Sequence, residues 1–280
     1  MKPVLLILAL GGIVAFTSTR RGVGSCADCG PEVSLPALES LPARPPKHIP
    51  MSLPYPAPPA SAVWKPLTPA QRLADARARL LPQLPEELDK AGAKLGAPAY
   101  IRVYKETREL ELWVRPDDQW DLFRTYPIAA MSGEVGPKLK EGDGQAPEGF
   151  YAVTSNSLNP GSTFHLSFNI GYPNTYDRHH GRTGSFIMVH GDRVSIGCFA
   201  MTDPVIEELY LVVEAALKGG QGEVPVHVFP FRMTPDRMAE AAAHPAAAFW
   251  RELLPAYAAF DSRKSVPEVE VRDGRYTVRH

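Results

Sequence analysis

Cysteine is scarce in this chain: three thiols, at Cys26, Cys29 and Cys198, in 280 residues. That is too few for a disulfide-stapled scaffold, and the Cys26-x-x-Cys29 pair lacks the second pair that a four-ligand zinc site needs. No metal or organic cofactor is implied. Surplus charge is also missing. A net charge of −1 supplies no field to attract nucleic acid or an anionic lipid surface. The apolar stretch from Pro3 to Phe16 is shorter than the roughly 20 residues that cross a bilayer comfortably. What is left is ordinary globular material, 44% hydrophobic and 22% charged, long enough for one large domain or two small ones.

Behind Lys2, the Pro3–Phe16 stretch fits the h-region of a secretory signal, and Gly11 and Gly12 argue against a core helix there. Arg20 and Arg21 oppose translocation, which keeps an uncleaved anchor open. Val23-Gly24-Ser25-Cys26 resembles a lipobox, which keeps lipidation at Cys26 open. Residues 1–25 are read as a signal peptide or membrane anchor, the only segment expected to meet a membrane, and the expected location is the periplasm or cell envelope. A tethering Cys26–Cys29 disulfide is the other reading of that pair. Either way Cys198 is left over, and an unpaired thiol in an oxidising compartment is a liability unless something uses it. Prolines recur from Pro31 to Pro69, so residues 26–67 read as an extended linker or as a tail without a role.

Thr68, Pro69 and Gln71 carry a helix-start signature, and leucines at helical spacing follow until Pro82 and Pro85 kink or divide the helix. Residues 68–96 form an accessory helical segment. From Tyr100 the period changes to two: "AYIRVYKETRELELWV" reads as a β-hairpin. "WDLFRTYPIAAMSG", "GFYAVTSN", "FHLSFNIG", "SFIMVHG" and "VPVHVFPF" supply further strands. A helix is expected over 204–218, with Asp203 as its cap and Pro204 at its first position. The expected fold is mainly β (α+β): a mixed-sheet or sandwich domain over 97–232, with helical additions before it and, over 233–280, two helices and a short hairpin around Asp273-Gly274.

In "IMVHGDRVSIGCFAMTD", alternation points Met188 and His190 to one face, and Gly191-Asp192 signals a turn after which "VSIG" returns antiparallel. His190 then faces Cys198 directly, or it faces Ser195 with a bulge at Gly197 re-aiming the thiol. An imidazole at that distance would hold the thiolate as an ion pair, making Cys198 a nucleophile and His190 its base. Backbone amides at Gly197 and Cys198 are candidates for an oxyanion hole. A buried core histidine beside a buried thiol is the competing reading. His165 groups with Ser167 and Asn169 on a strand, facing either the cleft or water. Tyr172, Arg178 and Arg182 lie in the loop leading to the His190 strand, where they bind substrate carboxylates or are simply solvated.

"HGDRVSIGC" resembles the signature of the L,D-transpeptidase (YkuD-type) catalytic domain, and the blocks "GPKLKEGDGQAPEGFY", "FHLSFNIGYPNTYDR", "GRTGSFIMVHG" and "SIGCFAMTD" resemble the YafK-like branch of that family. The resemblance implies a β-rich fold and acyl transfer on peptidoglycan stem peptides. Cys198 would attack the amide carbonyl on the L-centre of diaminopimelate, with His190 as base and the backbone carbonyl of Gly191 orienting the imidazole. Ile196 stands where the main family has the histidine of Ser-His-Gly-Cys, and Ala200 and Met201 occupy the neighbourhood of its usual arginine. Hydrolysis therefore stays open beside transfer, because the branch includes an amidase that releases a peptidoglycan-attached lipoprotein. From another class altogether, a wall-binding module with a structural Cys198 also remains.

Overall fold

Thr68 opens the first described helix with a reciprocal cap: its hydroxyl accepts from the Gln71 amide at 3.3 Å while the Gln71 side chain accepts from the Thr68 amide at 2.9 Å. The computed structural model describes residues 67–279, so the expected signal or anchor, Cys26, Cys29 and nearly all of the proline-rich linker lie outside the described residues. Helix α1 (Pro69–Leu80) ends before Pro82, and α2 (Leu84–Lys90) restarts with Pro85 in its first turn, where a proline costs no hydrogen bond.

Strands β1 (Ala99–Tyr104) and β2 (Glu109–Val114) form the antiparallel hairpin, and β3 (Asp121–Pro127) adds to β2 with a register shift at Leu112/Trp113. Next come β4 (Gly149–Val153), β5 (Leu158–Asn159), β6 (Ser167–Asn169), helix α3 (Thr175–His179), β7 (Met188–His190) and β8 (Phe199–Ala200). Helix α4 (Asp203–Lys218) and β9 (Val224–Phe229) follow, then α5 (Pro235–Glu240), α6 (Ala247–Arg263) and the hairpin β10 (Glu268–Arg272) and β11 (Arg275–Arg279). Two mixed sheets result, ordered β3-β2-β1-β9-β4 and β5-β6-β7-β8, and with the helices they make an α+β fold.

Helix α4 lies between the sheets, packing on β1 and β9 from one and on β6 and β7 from the other. A helix contacted on opposite sides cannot be narrowly amphipathic, and Val205, Ile206, Leu209, Tyr210, Leu211, Val212 and Val213 are all buried. Strand β1 shows the layering: Ala99, Ile101 and Val103 point into the core shared with α4. Tyr100, Arg102 and Tyr104 point to the opposite face, where α6 covers the sheet with Trp250, Leu253, Tyr257 and Phe260. Outside α4, α1 is fastened by Arg77–Glu214 and Arg79–Glu207, both at 2.7 Å.

Two expectations need correcting. Helix α4 begins at Asp203, not after it. Its cap residue is Thr202, held at φ 75° with no side-chain cap, while the Asp203 carboxylate accepts the Asp192 amide at 2.8 Å. More consequentially, the segment after β7 does not return antiparallel: β7 and β8 are parallel, with Val189 opposite Phe199 and His190 opposite Ala200. The loop between them swings out and re-enters at the end where β7 began, turning on left-handed conformations at Asp192 (φ 63°) and Gly197 (φ 99°). Ala200 is then paired on its far side with Ala130.

Candidate active site

His190 ends β7, almost wholly buried, with its ring tilted against Phe164 at 4.8 Å between centroids. Its Nδ1 lies 2.6 Å from the Gly191 carbonyl oxygen. A carbonyl only accepts, so Nδ1 carries the hydrogen and Nε2 keeps its lone pair for a proton from elsewhere. Gly191 is itself pinned, its N–H shared between the carbonyls of Phe164 (3.0 Å) and Leu166 (3.1 Å). A Cβ here would sit 2.5 Å from the Asp203 carboxylate, so only glycine fits.

Cys198 is half-buried and is the free cysteine among the described residues. Its sulfur accepts from the Met188 amide at 3.4 Å, and its S–H points to the Phe186 carbonyl at 3.6 Å. Carrying the parallel register back one residue sets Cys198 beside Met188, so thiol and imidazole are diagonal neighbours rather than directly opposed. The Ser195 hydroxyl donates to the Cys198 carbonyl at 2.6 Å, which ties the loop shut and turns Ser195 away from the thiol.

The electrostatics correct the expected ion pair. Burial pushes the Cys198 thiol up, and it outweighs the Met188 amide and the Lys138 charge that pull it down. Burial likewise pushes the His190 imidazole down against the opposing pull of the Gly191 carbonyl and Asp192. Both shifts favour a neutral thiol beside a neutral imidazole. A neutral pair of this kind is compatible with general-base chemistry, in which a proton would leave sulfur only as a bond to sulfur forms.

One of the two expected oxyanion donors, the Gly197 amide, is also occupied. The Gly197 N–H donates to Ser132 Oγ at 2.5 Å, and a Cβ on Gly197 would meet the Gln145 carbonyl at 3.2 Å. His165 is not on a strand: at φ 69° it precedes β6, and its Nε2 contacts Glu207 of α4 at 2.6 Å. Tyr172 is buried, its hydroxyl donating to the Lys138 and Thr183 carbonyls. Arg178 bonds locally to the Pro173 carbonyl and Thr175. Arg182 is committed to buried Asp177 at 2.9 Å and to the Phe249 ring face. Neither arginine is presented to the thiol as a carboxylate clamp.

Three side chains near the thiol escaped the residue-level reading. They are Ser132, the buried Lys138 (2.6 Å from Asp143) and Gln145, which ties Glu134 to Gly136. Only long-range pairing brings them here. The surrounding rim is apolar, with Ile196 85% and Phe186 74% exposed and Val194, Leu139 and Phe164 nearby in the same loops or beside His190.

The α+β scaffold places a half-buried thiol and an imidazole with an unspent Nε2 on neighbouring paired segments. Residues 98–228 match the family model of the YkuD L,D-transpeptidase catalytic domain. Two curated Escherichia coli proteins, from strains K12 and O157:H7, each named "Putative L,D-transpeptidase YafK", are 45% identical over 184 residues, covering 66% of this chain and 75% of theirs. Among solved structures, the helical cell shape determining protein Pgp2 of Campylobacter jejuni is 18% identical over 67% of this chain and 80% of its own, with a TM-score of 0.39. Bd1075 of Bdellovibrio bacteriovorus is 23% identical over 63% of this chain and 78% of its own, with a TM-score of 0.36. The chain belongs to the YkuD family of L,D-transpeptidases, in its YafK-like branch. Its function is of the peptidoglycan-related, L,D-transpeptidase type.

Proposed function

We propose that this is an exported, cysteine-dependent L,D-transpeptidase acting on peptidoglycan stem peptides. Cys198 attacks the amide carbonyl on the L-centre of diaminopimelate, His190 Nε2 takes the thiol proton, and that proton passes to the leaving amine as the amide breaks. The resulting thioacyl-enzyme is discharged to an acceptor amine. The observation that carries the reading is the orientation of His190: Nδ1 spent on Gly191 and Nε2 unspent, on the strand paired with β8, which Cys198 immediately precedes. Export rests on the Pro3–Phe16 stretch, and attachment to the membrane, whether by an anchor or through Cys26, would lie in the same N-terminal region. Among the described residues no helix is long and apolar enough to cross a membrane.

A second reading is supported by the exposed Ile196 and Phe186: a substrate bearing apolar side chains, such as a wall-attached lipoprotein, with water as the acceptor. Incubation with tetrapeptide muropeptides separates the two. Cross-linked or D-amino-acid-exchanged products, lost in Cys198→Ala, support transfer. Trimmed ends or freed protein alone support the amidase. If no product depends on Cys198, and the thiol labels slowly whether or not His190 is replaced by alanine, the protein is a wall-binding module instead.

A further inference from the structure

We propose that Ser132 is a catalytic residue, its hydroxyl donating to the oxyanion that forms when Cys198 attacks an acyl carbon; this rests on the reading of Cys198 as nucleophile. The first argument is placement. The Ala129 and Ala130 amides bond the Ala200 carbonyl at 2.8 and 3.2 Å, and the Ala200 amide returns to Ala130 at 2.9 Å, an antiparallel bridge. Two residues along each strand from Ala130 and Ala200, Ser132 falls opposite Cys198. The nucleophile is therefore flanked by Met188 on one side and by Ser132 on the other.

The second argument is hydrogen-bond direction. Ser132 Oγ accepts the Gly197 N–H at 2.5 Å, which uses an oxygen lone pair and leaves the hydroxyl hydrogen to point elsewhere. Among the described residues no acceptor takes that hydrogen, and Ser132 is only partly buried. A donor bonded in this way is polarised by the amide behind it, so the chain N–H···O–H is a stronger donor than a lone hydroxyl. The third argument is rigidity. The Gln145 side chain bonds the Glu134 amide at 3.0 Å and the Gly136 carbonyl at 2.7 Å, closing the loop that follows Ser132. A donor held before the reaction needs no reorganisation when charge appears.

In the proposed step the sulfur–carbon bond forms, the carbonyl π pair moves onto oxygen, and the thiol proton goes to His190 Nε2. The new O⁻ accepts the Ser132 O–H. On collapse the electron pair returns, the bond to the leaving group breaks, and His190 gives up its proton to the leaving amine, or to solvent when the leaving group is a stable anion.

Two reactions of the same thiol isolate this role in the full chain. Acetylation by p-nitrophenyl acetate passes through an oxyanion, whereas alkylation by iodoacetamide displaces iodide at a saturated carbon and does not. Both adducts are followed by mass mapping of the peptide that contains Cys198, which separates them from adducts at Cys26 and Cys29. Ser132→Ala should slow acetylation about 10²-fold, the loss typical of one oxyanion donor, and leave alkylation unchanged. Ser132→Thr should retain most of the acetylation rate and Ser132→Val should lose it, a pair matched in shape that keeps the test sound if the alanine variant folds poorly. Unchanged or faster acetylation without the hydroxyl overturns the proposal, since Ser132 then merely occupies the Gly197 amide. Equal slowing of both reactions overturns it as well, in favour of a loop-holding role. A wild-type thiol that is readily acetylated in a protein inert towards stem peptides removes the substrate reading and leaves Ser132 in place. A wild-type thiol that is not acetylated at all removes both.

Discussion

At His190 and Cys198 one physical cause, burial, raises the thiol and lowers the imidazole. The imidazole is therefore held neutral and the thiol protonated, the states the proposed base and nucleophile would start from. Acyl transfer should fall as pH drops through the lowered His190 pKa, on the acid side of the ordinary value near 6.5, and stay level above it through neutrality. His190→Gln should abolish that limb and slow turnover by about 10²–10⁴-fold. Alkylation of Cys198 should keep rising with pH beyond about 8.5, with no shoulder between pH 5 and 7. A shoulder there would mean a preformed thiolate–imidazolium pair, and the neutral-pair description would fail. The residue before the thiol carries a separate constraint. Gly197→Ala puts a side chain at φ 99°, against the Gln145 carbonyl. A loss of about 1–3 kcal/mol is expected in thermal or urea unfolding, together with slower acyl transfer because the amide and thiol are re-aimed.

Among the elements, α4 is tied to its neighbours by ion pairs. Buried Glu208 accepts from Arg124 at 2.9 Å and from the Tyr126 hydroxyl at 2.5 Å, tying the helix to β3, while Glu87 of α2 holds the other Arg124 nitrogen at 2.7 Å. Glu208→Ala leaves Arg124 buried with one partner, so a loss of about 3 kcal/mol is expected by urea unfolding, at the low end for a broken buried pair because Glu87 remains. Adding Arg124→Met should recover part of it; no recovery would show that the Tyr126 contact dominates. Elements of this kind differ in how far the sequence discloses them. The Thr68–Gln71 cap, the division at Pro82 and Pro85, the β1–β2 hairpin and the body of α4 are set by residues within a few positions of one another, and they can be read directly. His190 and Cys198 stand out as residue types for the same reason. The direction of β8 does not, because it depends on pairing with Ala130 from far upstream and on left-handed Asp192, a non-glycine residue that no local rule singles out. Ser132 on the Gly197 amide and His165 on Glu207 are hidden likewise: both contacts exist only once separate elements have packed.

For the molecule as a whole, β9 is the strand on which the layers meet, pairing with β1 and β4 while its two faces serve different cores. His227 lies on it, buried on the α6 side, with Nδ1 2.8 Å from the Tyr100 hydroxyl oxygen. Burial first, and then the nearby Arg102 charge, push His227 down to about 3. Burial pushes Tyr100 far up, so the phenol keeps its proton and is hydrogen-bonded to the neutral imidazole. The linkage has a definite sign. The unfolded chain protonates this histidine below about pH 6.5. The native protein does not until about pH 3. Between those limits the unfolded state binds the extra proton, and stability should fall with decreasing pH by up to about 1.4 kcal/mol per unit. Above pH 6.5 His227 contributes no pH dependence. Carboxylates and His190 add their own slopes, so the measurement is a difference: urea-unfolding free energies of wild type and His227→Gln from pH 7 to pH 4. The variant should lose some stability at pH 7, where the Tyr100 hydrogen bond is perturbed, and should decline less steeply towards pH 4, so that the two curves converge. Parallel curves would show that His227 is protonated in the native fold, with β9 tolerating a charge that its burial and the neighbouring guanidinium both oppose.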